Sequence, residues 1–338
     1  MTAVNVRTGK EYWRYEPQDP GAPVDTLGVS ERTVVAGYAD GRLVGIDLRT
    51  GKPLWRADIR HDNNYRVVTL VGGQVVTGAP GAVRAFDERD GRSLWTAKTP
   101  KFCPEAIVYV VYVLPDHLSV ASVYCMPDVR RDECHLRLGI DNRTGKVLWQ
   151  QRTEDFKLTV RGDEHTLVAP DPDTPDTDRY NIQLLDVNRQ GISPRAALSF
   201  GEWDAVASGG GIVLSATGPI DQSEEDHDTL LRAYGTRDGH LAWQLRAPAG
   251  QEYGLPEIAD GRLYVVRQPF LTDTDTGRRI RADLLVLEAG TGRLLHTLRL
   301  PAMTVPDDDR ELDVIDIADG AVSISWGDGE GDVLFATD

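Results

Sequence analysis

Hydrophobic and polar positions alternate along most of the chain, in short runs that turn signals separate. Residues 24–58 hold four such runs, VDTLGVS, ERTVVAGY, RLVGID and KPLWRAD, with ADG and LRTG as the later turns. Alternation with a period of two predicts β-strands, and short turns between such runs predict antiparallel pairing. No segment carries a convincing apolar stripe with the 3.6-residue period of a helix, so the pattern predicts an all-β fold.

The fourth strand of this unit belongs to a sequence frame that recurs along the chain. A glycine is followed four residues later by a tryptophan, and an aspartate often stands four residues before the glycine, as in Asp47, Gly51 and Trp55. Successive glycines are 40 to 54 residues apart, a period typical of repeat architectures. The complete copies are Gly9 with Trp13, Gly51 with Trp55, Gly91 with Trp95, Gly145 with Trp149, and Gly239 with Trp243.

Two weaker copies keep the glycine and lose the tryptophan: Gly191 is followed by Arg195, and Gly292 by His296. The glycine suits a turn that needs a positive φ angle, and the aspartate can accept hydrogen bonds from the turn backbone. The tryptophan is a large flat side chain that can bury roughly 150–250 Å² between neighbouring sheets. We therefore interpret the frame as packing between repeats, because a binding site would not recur along the whole chain.

Four strands per repeat and about seven repeats predict a seven-bladed β-propeller, a single domain over residues 1–338. We expect strands from residues 2–16 to pair with strands from 312–337 in one last blade that both termini close. TAVNV and VLFATD both resemble a third strand, so either one is displaced to an edge or the chain is a segment of a longer protein. Eight blades are the alternative.

The frame from Asp47 to Trp55 resembles the repeat of pyrroloquinoline-quinone-like (PQQ-like) β-propellers, and the resemblance covers nearly the whole chain. That family includes quinoprotein dehydrogenases, the propeller lipoprotein of outer-membrane barrel assembly, and sensor propellers of bacterial Ser/Thr kinases. In the dehydrogenases, two adjacent cysteines form a ring that covers the cofactor beside a Ca²⁺ ion. This sequence has no adjacent cysteines, so we expect no cofactor and no quinoprotein catalysis.

Charge narrows the classes of partner. The chain has 37 lysines and arginines against 53 aspartates and glutamates, a net charge of −16. This disfavours nucleic acid and anionic membranes, which need a cationic face. Partners are then basic or neutral proteins, peptides or cations, with binding that weakens as salt is added, or else the acidity only keeps the protein soluble.

The sequence has no apolar run of 18 residues and no signal peptide at its start, so we expect no direct membrane insertion of this segment. Either an anchor or domain precedes Met1 and the propeller is extracytoplasmic, or the protein is cytoplasmic and begins there.

The three cysteines lie within one predicted blade. Cys125 and Cys134 flank one loop at the ends of two strands, which favours a disulfide between them, with Cys103–Cys125 as the rival pairing. Three free thiols are a further alternative, and a metal site that uses His135 is the last.

Other motifs carry little chemistry. The stretch GDGEGD at 327–332 is interpreted as a hairpin turn, and no G-x-S-x-G or H-E-x-x-H motif occurs. Acidic insertions lie at 170–180, 221–228, 271–279 and 306–312. Within one of them, Asp273, Asp275 and Gly277 half-resemble a calcium loop, but the glycine is one place early and the distal glutamate is missing, so we favour a solvated hairpin tip.

These observations lead to one main hypothesis. The chain is predicted to be a non-catalytic, monomeric interaction, scaffold or sensor module on the extracytoplasmic face of a bacterial membrane, with a protein or peptide partner on one propeller face. The alternatives are a sensor domain of a Ser/Thr kinase, or a hydrolase or lyase that uses carboxylates on a propeller face.

Overall fold

The computed structural model consists of β-strands joined by turns, and no α-helix occurs in the part of the chain that it describes. The described residues are 1–4, 10–17, 24–59, 68–103, 106–114, 116–125, 134–153, 160–161, 165–170, 181–199, 205–217, 230–271, 275–305, 312–318, 321–326 and 333–336.

The N-terminal half is a succession of sheets in which strands that follow each other along the chain are hydrogen-bonded neighbours. A hairpin comes first, formed by β1 (Thr2–Val4) and β2 (Glu11–Arg14). Sheet 1 contains β3 (Val24–Val29), β4 (Thr33–Tyr38), β5 (Arg42–Asp47) and β6 (Pro53–Asp58). Sheet 2 contains β7 (Val68–Val71), β8 (Gln74–Ala79), β9 (Ala82–Asp87) and β10 (Ser93–Lys98). Sheet 3 contains β11 (Ile107–Leu114), β12 (Leu118–Cys125), β13 (Cys134–Asp141) and β14 (Val147–Thr153).

The C-terminal half repeats the plan with additions. Sheet 4 contains β15 (Val160–Arg161), β16 (Thr166–Pro170), β17 (Asn181–Val187) and β18 (Ile192–Ser199). Sheet 5 contains β19 (Ala205–Gly209), β20 (Ile212–Thr217), β21 (Leu230–Gly235) and β22 (Leu241–Arg246). Sheet 6 splits its first strand into β23 (Gln251–Tyr253) and β24 (Glu257–Ala259), beside β25 (Arg262–Pro269). Sheet 6 continues with β27 (Asp283–Glu288) and β28 (Leu294–Arg299), and β26 (Arg279–Ile280) pairs with β29 (Met303–Thr304) in a small sheet of its own. The last sheet has three strands, β30 (Leu312–Ala318), β31 (Ala321–Trp326) and β32 (Val333–Ala336).

The predicted pairing between the two ends of the chain is not the pairing in the structure. Strand β1 pairs with β2, and β30, β31 and β32 pair with each other, so the described strands of the two ends lie in two different sheets. A blade shared by both termini is therefore wrong for these strands, and the number of blades stays a prediction.

Two compact units make up the chain. The first contains residues 1–158 and 187–192, and the second contains residues 159–186 and 193–338. Within each unit the core lies between successive sheets. Strands β4 and β13 are buried along their whole length, whereas most residues of β22 and β28 are exposed. A single domain over 1–338 stays a prediction.

The tryptophans of the frame join each sheet to the next one. Every one of the five donates its indole N–H to a backbone carbonyl that stands three residues before the next glycine of the frame. The bonds run from Trp13 to Leu48 at 2.8 Å, Trp55 to Glu88 at 2.7 Å, Trp95 to Asn142 at 2.6 Å, Trp149 to Asn188 at 2.9 Å, and Trp243 to Ala289 at 2.7 Å. We call this contact the inter-sheet bond.

The frame glycine serves two purposes at once, as Gly91 illustrates. Its φ angle is +69°, which L side chains rarely adopt, and a Cβ there would lie 2.7 Å from the ring of Trp55. The turn is held by Asp87, whose side chain accepts from the backbone N–H of Arg89 at 2.9 Å. The glycine therefore both forms the turn and lets the neighbouring indole lie flat against it.

A small residue opposite each tryptophan is a second requirement, which the sequence pattern had not revealed. At Gly45, an added Cβ would overlap the indole of Trp55, its cross-strand partner. Each of the five tryptophans faces a glycine or alanine six residues before the frame glycine, namely Ala3, Gly45, Ala85, Gly139 and Ala233. The two copies without tryptophan carry larger residues at that place, Leu185 and Val286.

Arg195 takes over the inter-sheet bond where the tryptophan is missing. Its Nη1 donates to the carbonyl of Thr236 at 2.6 Å, and Thr236 stands three residues before the next frame glycine, Gly239. The guanidinium also donates to the hydroxyl of Thr166 at 3.1 Å and pairs with the carboxylate of Asp186. A charged side chain therefore makes the hydrogen bond, without the large apolar area that an indole buries.

We expect Trp55→Ala to lower the free energy of unfolding by about 3–5 kcal/mol, since it removes a side chain that is 7 % exposed together with its inter-sheet bond. Urea unfolding measures this. The control is Leu54→Ala on the same strand, where the side chain is 47 % exposed. Equal losses for the two variants would contradict the packing interpretation.

Restoring the full frame in sheet 4 tests the pairing of small residue and indole. Arg195→Trp alone should destabilise the protein, because Leu185 occupies the space that the ring needs. Adding Leu185→Ala should recover stability, with a coupling of about 1–3 kcal/mol in the double-mutant cycle. The matched cycle of Val286→Ala with His296→Trp should show a smaller coupling, because it clears the space for the ring in the same way but no further frame glycine follows Gly292. Equal coupling in both cycles would show that the acceptor turn of the following sheet does not contribute to the coupling.

Candidate functional site

An open cleft of about 770 Å³ lies in the first unit, where turns of sheet 1 and sheet 2 meet. It is bounded by the turn after β3, the β5–β6 turn, the end of β7 and the turn after β9. The volume falls in the range of roughly 300–1,000 Å³ that is usual for ligand sites.

The apolar part of the cleft is accessible. Val29 is 61 % exposed and Leu54 is 47 % exposed, while Leu70 and Val71 are partly buried beside them. Leu54 is the residue just before Trp55, so alternation along β6 turns one side chain into the core and the other outwards. Sequence analysis missed Leu54 because a single apolar residue on an outer strand carries no signal of its own.

A polar side-chain contact fixes the shape of the cleft. The hydroxyl of Ser30, in sheet 1, donates to the carboxylate of Glu88, in the β9–β10 turn of sheet 2. The same hydroxyl oxygen accepts from the backbone N–H groups of Arg32 and Thr33 at 3.1 and 3.0 Å. The carbonyl of Glu88 accepts the inter-sheet bond of Trp55. Glu88 thus links the wall of the cleft to the packing interface between sheets 1 and 2.

Charged groups of both signs stand at the rim. Glu31 and Arg32 are exposed in the turn after β3, and Arg89 is exposed in the turn after β9. Asp47, by contrast, is engaged by its own turn, where its Oδ1 accepts from the hydroxyl and the backbone N–H of Thr50, both at 2.8 Å. The hydroxyl hydrogen bond lowers the pKa of Asp47, so this carboxyl is ionised at neutral pH and is no general acid.

Asp141 occupies in sheet 3 the place that Asp47 has in sheet 1, and it makes an additional contact. Arg189, from the turn after β17, pairs with the Asp141 carboxylate and donates to the carbonyl of Asp116 at 3.0 Å. The hydrogen bond from Arg189 lowers the pKa of Asp141 to about 2. Burial alone would raise this pKa, so the guanidinium outweighs desolvation.

The turn before β12 has an unusual backbone. Asp116 and His117 have φ angles of 59° and 58°, whereas Gly72 and Gly73 stand at the corresponding turn of sheet 2 with φ angles of 54° and 76°. Left-handed conformations cost non-glycine residues free energy, although aspartate and histidine tolerate them better than most. The carbonyl of Asp116 that Arg189 binds belongs to this turn, so the ion pair and the turn support each other.

A pH series tests the Asp141 contact. A carboxyl whose folded pKa is lowered contributes stability above its unfolded pKa of 3.8 and loses it as the pH falls towards about 2. Asp141→Asn keeps the turn acceptor and removes the charge. The difference in free energy of unfolding between the natural protein and this variant should therefore shrink as the pH falls through that window. A difference that stays constant in urea unfolding from neutral pH to pH 2 would contradict it.

The cysteines pair differently from the first prediction. A disulfide joins Cys103 to Cys125, the rival pairing, and Cys134 is a buried thiol. Loop residues Pro100 and Thr99 explain the outcome: Cys103 N–H donates to Pro100 at 2.8 Å and Thr99 donates to the Cys103 carbonyl at 2.7 Å, which holds Cys103 against the end of β12. The metal interpretation has no support in the described residues, where no group of three or more ligand side chains occurs.

Most acidic insertions lie outside the described residues, including 171–180, 221–228 and 306–311. Residues 272–274, with Asp273 of the half-matched calcium loop, also lie outside them. Asp275 is described, and Arg278 donates to its carboxylate at 2.7 Å. Neighbouring β26 pairs with β29, so this insertion continues as ordered backbone.

The structure thus places four of the frame tryptophans against the glycine of the next copy, in the pairs Trp13 with Gly51, Trp55 with Gly91, Trp95 with Gly145, and Trp243 with Gly292. Gly191 makes no such contact with Trp149, which still donates to Asn188. Gly9 lies outside the described residues, but Trp13 reaches the next copy, Gly51. The frame residues underlie the cleft, and its open surface is made by other side chains such as Val29 and Arg89.

A protein-family model matches most of the chain. A family model described as outer membrane protein assembly factor BamB matches residues 1–116 and 135–323. The chain belongs to this family. Its repeat is the PQQ-like β-propeller repeat that the frame indicates.

Individual BamB relatives and dehydrogenases share parts of the sequence. The BamB of Burkholderia pseudomallei (strain K96243) is 27% identical over 167 residues, which cover 44% of this chain and 39% of that protein. Quinohemoprotein alcohol dehydrogenase ADH-IIG of Pseudomonas putida is 32% identical over 128 residues, 30% of this chain. The matched segment spans only 18% of that dehydrogenase.

Solved structures show the fold. BamB from Moraxella catarrhalis superposes with a TM-score of 0.53 at 14% identity, over 96% of this chain and 88% of that one. KlHsv2 with a replaced loop gives a TM-score of 0.53 at 12% identity, over 90% of both chains. The fold is an all-β propeller of four-stranded antiparallel blades, as the sequence predicts. Within the described residues, no helix is long and apolar enough to cross a membrane.

The cysteines do not fit the cofactor of the dehydrogenase relatives. Cys103 and Cys125 are 22 residues apart and only 2 % and 5 % exposed, inside the core between sheets 2 and 3. They cannot form a ring of adjacent cysteines over a cofactor on a propeller face, so the cysteines of this chain do not fit that cofactor.

Proposed function

We propose that the protein is a non-catalytic interaction module of a bacterial, membrane-associated assembly, and that the cleft between sheets 1 and 2 receives an extended segment of a protein partner. The observation that carries this proposal is the cleft itself, in which the accessible side chains of Val29 and Leu54 lie beside charged groups of both signs. Apolar anchors with a polar rim are typical of protein-binding surfaces.

Two further observations support this proposal. The BamB relatives are named as assembly factors, which favours a protein partner over a small-molecule substrate. The Cys103–Cys125 disulfide favours an oxidising compartment, in keeping with the extracytoplasmic face of a membrane. A monomer that binds one partner at a time remains our expectation, and sedimentation measures it.

The enzyme alternative needs a carboxyl that can act as an acid or base at neutral pH. The pKa of Asp47 is lowered by its own turn, and the hydroxyl of Ser30 is engaged by Glu88 and by two backbone N–H groups. These groups build the cleft walls, which favours binding over carboxylate catalysis.

Peptide selection tests the cleft. Peptides selected from a displayed random library on the natural protein should bind at least about tenfold more weakly to Val29→Asp and to Leu54→Asp, because a buried charge replaces an apolar anchor. Leu241→Asp, at a position 50 % exposed on the outer strand of sheet 5, is the control and should keep full affinity.

Thermal melts of all three variants verify that each is folded. Selected peptides that bind the two cleft variants as well as the natural protein would place the interaction elsewhere. Equal weakening by Leu241→Asp would show that added charge alone causes the loss. A salt series on the same peptides tests whether the rim charges contribute, since screening then weakens binding.

A further inference from the structure

Three sulfur atoms meet at one place in sheet 3. Cys103 and Cys125 form the disulfide, with their Cα atoms 5.1 Å apart. Cys134 is the direct cross-strand partner of Cys125 in the β12–β13 ladder. All three belong to one buried cluster, in which they are 2 %, 5 % and 8 % exposed in that order.

The ladder makes Cys125 a neighbour of both other cysteines. Directly opposite residues of an antiparallel pair have Cα atoms about 4.5–5.5 Å apart and side chains on the same side of the sheet. This separation lies inside the range of about 4.4–6.8 Å over which disulfides form. Cys125 can therefore bond to Cys134 with the strands in their present register.

We propose that the three cysteines form a thiol–disulfide exchange site, in which the Cys103–Cys125 disulfide interconverts with a Cys125–Cys134 disulfide. The Cys134 thiolate attacks Sγ of Cys125, and a bond forms between these two sulfurs. The Cys103–Cys125 bond breaks, and its electron pair leaves with Cys103. The Cys103 thiolate takes up the proton that Cys134 released, so the step needs no oxidant or reductant.

The two disulfide forms differ in which parts of the chain they join. In the present structure the bond ties Cys103, which lies in the connection between β10 and β11, to the end of β12. In the exchanged form that loop keeps only hydrogen bonds, such as the one from Cys103 N–H to Pro100. The bond would instead join β12 to β13, which the ladder already holds together. The exchange thus removes the covalent bond between the β10–β11 connection and the end of β12.

Peptide mapping without reduction tests the exchange in the intact protein. The native protein is incubated at mildly alkaline pH with a trace of reduced glutathione, quenched in acid and alkylated with N-ethylmaleimide. A peptide that links Cys125 to Cys134 should accumulate, and alkylation of Cys103 should rise about tenfold above that in Cys134→Ala, in which Cys125 has no second partner.

Cys103→Ser provides the second arm. With oxidised glutathione as the oxidant, which leaves as two molecules of reduced glutathione, this variant should form the Cys125–Cys134 disulfide in the folded protein. Hydrogen exchange at residues 101–103 should then be faster than in Cys134→Ala, which keeps the tether. Thermal melts establish that both variants are folded.

Three outcomes would overturn the proposal. The first is that the natural protein yields the Cys103–Cys125 peptide alone, and the second is that Cys103→Ser keeps both remaining thiols free to alkylate in the presence of oxidised glutathione. The third outcome is a mixture of all pairings in the proportions found for urea-unfolded protein, because exchange would then pass through the unfolded chain and not through the neighbouring sulfurs of the native sheet.

Discussion

The hydrogen bond from an indole N–H to a carbonyl of the following sheet is the contact on which the remaining structure depends. It fixes where one sheet meets the next, because the acceptor always stands at the same place in the next turn. At Gly51, Gly91, Gly145 and Gly292, that turn needs a glycine, both for its backbone angle and for the space against the ring. The aspartate that holds the turn, the glycine and the tryptophan are therefore parts of one joint.

The cleft is a product of the same joint. Glu88 offers its carbonyl to Trp55 and its carboxylate to Ser30, so the depth of the cleft and the spacing of its walls follow from how closely sheets 1 and 2 pack. The apolar residues that open into it are the outward neighbours of core residues, as Leu54 is of Trp55. A partner that binds there would rest against the interface that the inter-sheet bond of Trp55 holds together.

Much of this architecture follows from the sequence because it repeats. Alternation and the spacing of Gly51, Gly91 and Gly145 predict the sheets and the turns between them, and the propeller fold is confirmed. The features that sequence analysis missed depend on contacts between distant residues. The small residue opposite each tryptophan, such as Gly45, was visible in the letters but has meaning only once the register is known. The cysteine pairing depends on where the loop around Pro100 holds Cys103. No pattern along the sequence predicts that position.

All six inter-sheet bonds run in the same sense, from a side chain of one sheet to the backbone of the sheet that follows it. The joint is therefore directional, and each of sheets 1 to 5 carries a donor on one side and an acceptor on the other. A duplicated repeat inserted in frame would meet neighbours that already offer the complementary halves. A chain built in this way can gain or lose a repeat in evolution without new contacts having to arise. Arg195 in sheet 4 shows that the donor can change from an indole to a guanidinium while the direction of the hydrogen bond stays the same.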